Sequence, residues 1–135
     1  VGAWDATAAA ASLSAALGLA AYPSISGTHL RLGSTAPTPT AHMTELVATG
    51  YSAGGLLISW STVTGSPAAT SNSSASLPSW TNSGTSPWPL VGAEIWTTQA
   101  TPVRQFQGVW AGAPLLVPPG DAFAPSASAL VLSQG

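Results

Sequence analysis

Side chains able to do chemistry are scarce in this sequence. Six of its 135 residues are charged, Asp5, Glu45, Glu94 and Asp121 against Arg31 and Arg104, and His29 and His42 are its only imidazoles. His42 and Glu45 stand three apart, a spacing that would bring two metal ligands together on a helical turn. Thr38, Pro39 and Thr40 directly precede them, so a polar loop without a third ligand is the simpler reading. Glu94 and Asp121 are the carboxylates available for a glycoside-hydrolase pair. Glu94, however, falls in an alternating run in which Ile95 is expected to face inward and Glu94 outward, and Asp121 is expected to organise the turn after Gly120. Serines abound, but no nucleophile elbow, phosphate loop or dinucleotide fingerprint is expected. The absence of cysteine removes thiolate ligands, thiol nucleophiles and disulfides. The expectation is therefore a protein that is not an enzyme, with no catalytic residue, no metal and no cofactor.

The six tryptophans are the other notable side chains. Trp80, Trp88, Trp96 and Trp110 would suit a carbohydrate-stacking platform. Trp60, Trp96 and Trp110 lie in alternating runs, where a core role is expected. Trp80 and Trp88 lie in a Pro- and Ser-rich stretch, which makes them the candidates for surface contact, with another subunit ahead of a sugar because Trp is enriched at interface hot spots.

The elements that would position these residues are short. Ala, Ser, Thr and Gly fill 73 of the 135 positions, and 12 prolines divide the chain further. Asp5 or Thr7 can cap a helix over 6–21, rich in Ala and Leu, with Gly18 and Pro23 as stop signals. From Thr28 the period becomes two, predicting strands over 28–33, 56–61, 91–98, 105–111 and 127–133, with a further edge strand over 75–80. The stretch 62–89 carries no charge and is expected to be a long, partly stranded excursion. Such a pattern predicts a mostly β fold, an antiparallel β-sandwich or jelly-roll-like barrel with one N-terminal helix. Residues 1–24 form a candidate docking or oligomerisation arm, and 25–135 the sandwich.

Composition also excludes partners. Two basic residues cannot neutralise a run of phosphates, so no nucleic acid is expected. No apolar stretch reaches the ~18 residues of a membrane span, so no membrane is expected either. A positive mean hydropathy argues for a folded chain. A charged fraction of 4%, against about 25% in ordinary soluble domains, suits a protein packed among neighbours. Leu13, Leu17 and Leu19, on a helix otherwise mostly alanine, are the candidate docking residues, and contacts made this way should be insensitive to salt.

From Leu30 to Leu132 the chain resembles small virion proteins of actinobacterial phages, often labelled tail fibre proteins. The resemblance rests on THLRLGSTAP at 28–37, Glu45-Leu46, Gly50-Tyr51, the runs 56–61 and 91–96, Gln107–Trp110, Gly120-Asp121 and the final run 127–132. Ser52 departs from it, standing where a basic residue is usual, and so does the length of the 62–89 excursion. What the resemblance implies is a virion structural role, as a tail appendage or a capsid decoration (head) protein. Its location would be the virion, after synthesis in the host cytoplasm. Its partners would be copies of itself, with a trimer favoured, and other virion proteins. The alternative is a carbohydrate-binding module that recognises a host-surface glycan.

Overall fold

The structure, a computed structural model, describes residues 3–23, 25–66 and 68–133. Among the described residues the chain is mostly β, with one helix in its N-terminal part and all strand pairing antiparallel. The main sheet has five strands in the order β1(Ala3–Trp4), β8(Arg104–Val109), β7(Gly92–Thr97), β2(Thr28–Gly33) and β3(Leu56–Ile58). Three two-stranded ribbons complete the architecture: β4(Ala69–Ser71) with β11(Val131–Ser133), β5(Trp80–Thr81) with β10(Ala122–Phe123), and β6(Trp88–Leu90) with β9(Leu115–Val117). Sheet and ribbons form a β-sandwich.

Alternation along β2 and β7 explains the layering. Leu30 pairs with Ile95 and Leu32 with Ala93, so these side chains share one face of the sheet. With Leu46, Ile58, Trp80, Trp88, Leu90 and Val117 that face makes the core. Arg31 pairs with Glu94 on the opposite, polar face. Gly55, before β3, has φ +78°, and a Cβ there would strike the Leu30 carbonyl, so the tight entry to this strand needs glycine.

The helix α1(Ala6–Ala16) starts as expected and ends earlier. Asp5 caps it, its Oδ1 accepting from the N–H of Thr7 at 2.8 Å and of Ala8 at 3.3 Å. At the other end the N–H of Gly18 reaches Ala15 and that of Leu19 reaches Ser14, the paired bonds of a Schellman stop with Gly18 at φ +70°. Gly18 alone ends the helix, so residues 17–21 lie outside it. Strand β1 precedes the helix and pairs with β8. Ala3 and Trp4 of the expected arm are thus woven into the sheet, across the division placed at residue 24.

Other boundaries shift as well. The run 75–79 forms no strand, the pairing falling instead at β4 and β5, and the last strand shortens to β11. The excursion over 62–89 is partly stranded, as expected, but it is not peripheral, since it brings Trp80 and Trp88 into the core.

Candidate functional site

Five of the six charged residues meet in two clusters on and beside the polar face of the sheet. Arg104 is the centre of the first. A β-bulge in the β7–β8 ladder takes Ile95 opposite Phe106 but Trp96 opposite Arg104, so one extra residue on β8 re-aims the Arg104 side chain. All five guanidinium N–H groups are engaged. Nε donates to Asp5 Oδ2 at 2.8 Å, Nη1 to Glu94 Oε1 and the Ala41 carbonyl, both at 2.8 Å, and Nη2 to the carbonyls of Thr38 and Pro39. Glu94 also accepts from the Met43 N–H and the Trp96 indole, each at 2.8 Å. Arg104 and Glu94 are both 2% exposed. This corrects the expectation that Glu94 faces solvent: the 38–43 segment covers this part of the polar face, and both Glu94 and Ile95 are buried.

In the second cluster Tyr51 Oη donates to Glu45 Oε1 at 2.7 Å and accepts the Leu32 N–H at 3.1 Å. Glu45 Oε1 also takes the Gly54 N–H, and its Oε2 lies 4.0 Å from Arg31. The Arg31 guanidinium sits 4.1 Å over the Trp96 ring, a cation–π contact joining the two clusters. Burial, reinforced by Glu45, pushes the Tyr51 phenol well above its usual range, so it remains a neutral donor.

The expected chemical pairs are not assembled. His42 and Glu45 diverge, and the His42 imidazole lies 3.8 Å from Glu94 and tilts against Trp96. Among the described residues no three His, Asp or Glu side chains gather as a metal site. Asp121 is exposed, and the turn it follows is closed by its own N–H to Pro118. One pattern runs against expectation: 50–54 reads Gly-Tyr-Ser-Ala-Gly and so does spell G-x-S-x-G. An elbow needs that serine between a strand and a helix. Here Ser52 lies in an exposed loop that leads into β3, and the nearby His29 Nδ1 is 3.2 Å from the Gly54 carbonyl.

Of the tryptophans, Trp60 and Trp110 pack against the core as their positions suggest, whereas the reading of Trp80 and Trp88 is reversed. Trp80 and Trp88 are each 2% exposed and pack around Tyr51, which removes both from the candidate contact surface. The pairing of β5 with β10 and β6 with β9 draws their loop inward. Trp60, Trp96 and Trp110 are only partly buried. Leu13 and Leu17 are 62% and 64% exposed, and Leu19 is exposed as well, so all three candidate docking leucines stand on the surface. No protein-family model and no curated protein matches this chain.

What the surface offers is thus apolar contact. Of the six charged side chains, Asp121 alone is exposed, whereas eleven large hydrophobics are exposed among the described residues. The buried cluster makes an acid prediction. Burial pushes the Asp5 pKa up, but hydrogen bonds from Arg104, Ala8 and Thr7 and the Arg104 charge outweigh it, leaving a net value below the ordinary carboxylate range. A group depressed in the folded state stabilises above its unfolded value, near 4, and loses that contribution as pH falls through the folded value. Chemical denaturation at stepped pH should show stability flat from about pH 5 to about 9 and falling below about 4. The Asp5→Asn variant should show a shallower fall.

Proposed function

We propose that this chain is a non-enzymatic structural subunit of a phage virion, a tail appendage or capsid decoration protein, that acts through protein–protein contacts with its own copies and with other virion proteins. The observation that carries this reading is the inward use of charge. Arg104, Asp5 and Glu94 are spent in one internal network and Arg31 and Glu45 in another, while leucines and valines stand outside. A surface of this kind has little charge to desolvate when a neighbour covers it. The resemblance of residues 30–132 to small virion proteins points the same way. The sugar-binding alternative loses support, because Trp80 and Trp88, two of the four indoles of its platform, lie in the core.

The test is a mass-spectrometric inventory of particles purified from lysates of cells that make the chain. Its peptides are expected in the particle fraction at a fixed ratio to the capsid or tail proteins, and retained after a high-salt wash, because the contacts are uncharged. Recovery only in the soluble cell fraction would overturn the proposal.

A further inference from the structure

Two features of the fold are left without partners, and they adjoin. The first is a groove between the apolar face of the main sheet and the β4–β11 ribbon. Ile95 and Phe106 of the sheet, Leu132 of the ribbon and Trp60 line both of its halves. Ile25, Val63, Val109 and Val131, all exposed, are among the residues around it, and no charged residue lines either half. The wider half has a volume of about 340 Å³. The second feature is the outer face of α1. The helix buries only Ala8 against its own domain, and its Leu13 and the C-cap residue Leu17, one turn on, point into solvent. Tyr22, Ile25 and Gln105 line both the groove and the gap beneath α1, which places helix and groove side by side.

We infer that the groove receives Leu13 of α1 and Leu17 at its C-cap from a second copy of this chain. Volume favours this occupant: truncating one buried leucine to alanine opens a cavity of roughly 150 Å³, so two leucine side chains nearly fill the wider half of the groove. Charge favours it too, since neither the groove nor the helix from Ala6 to Ala16 carries an ionised side chain. Area then sets the arrangement. A stable interface takes about 800 Å² from each partner, out of the 7071 Å² this chain exposes, and a groove holding two leucines supplies only part of that. With helix and groove on one side of the molecule, a two-fold exchange uses both at once, each copy giving its helix and receiving the other's. This contact is independent of where in a virion the chain sits: a monomer found in virions would overturn the contact and leave the proposed function standing, and a dimer absent from virions would do the reverse.

The experiment is light scattering on the full chain over a micromolar concentration series, at low and high salt. The wild type is expected to dimerise equally at both. Leu13→Asp with Leu17→Asp, and separately Val63→Asp, should each weaken association by on the order of 30-fold or more. Both alter exposed positions, so an unchanged circular dichroism spectrum is expected to accompany the loss. Because the chain has no cysteine, Leu17→Cys combined with Val63→Cys should give an interchain disulfide on oxidation that neither single variant gives. A wild-type monomer throughout the series overturns the inference. So does a dimer that survives the aspartates, or a crosslink formed by Leu17→Cys alone.

Discussion

Replacing Arg104 with methionine is expected to lower the melting temperature by roughly 10–20 °C. The substitution keeps much of the apolar stem and removes the guanidinium, leaving the carboxylates of Asp5 and Glu94 and the carbonyls of Thr38, Pro39 and Ala41 without their shared donor. Removing one partner of a buried pair costs about 3–5 kcal/mol, because the remaining charge stays desolvated. Arg104→Lys should recover only part of the loss, since an ammonium cannot reproduce a planar fork of five donors. A further diagnostic is the triple change Asp5→Asn, Glu94→Gln and Arg104→Met, expected to be more stable than Arg104→Met alone because it removes the stranded charges along with their partner. If a thermal melt shows Arg104→Met within a few degrees of wild type, the network does not hold the fold.

Trp80→Ala should be comparably severe, at about 3–5 kcal/mol, and Trp80→Phe much milder. The indole is buried in the core against Tyr51, but its N–H has no hydrogen-bond partner among the described residues. Alanine therefore leaves a large void, whereas phenylalanine keeps most of the packing and removes an unsatisfied donor. Urea titration of the two variants checks the difference. Equal losses would mean that the N–H contributes to stability after all.

The sequence made the chain's periodic parts readable. Alternation placed β2, β7 and β8 within a residue or two, and Asp5 and Gly18 are end signals that act through the local backbone. What it did not reveal depends on pairing between distant segments. Trp80 looked exposed because prolines and serines surround it, and only its register against Phe123 turns it inward. Glu94 looked exposed because alternation assigns one wet face to a strand, whereas the 38–43 segment covers that face. Arg104 received no role from its sequence position, since the bulge that re-aims it has no local signature. One clue was available: in a chain with so few ionised groups, a charge within an alternating strand has few possible partners. Ser52 carries the opposite lesson, a motif present in letters without its strand-to-helix setting.

The Asp5–Arg104 bond spans 99 positions of chain. At a synthesis rate of ~5–20 residues per second, Asp5 leaves the ribosome about 5–20 s before its partner does. Throughout that interval β1 has no β8 to pair with, and α1 is an eleven-residue helix with a cap but no docking surface, shorter than the ~12–15 residues at which isolated helices become even marginal. The segment from β1 to α1 is thus made before its partners and fixed after them. Folding of this region should therefore be governed by closure of that 99-position span, with a high-contact-order rate, and its leucine-bearing segment should be accessible to chaperones until Arg104 has emerged.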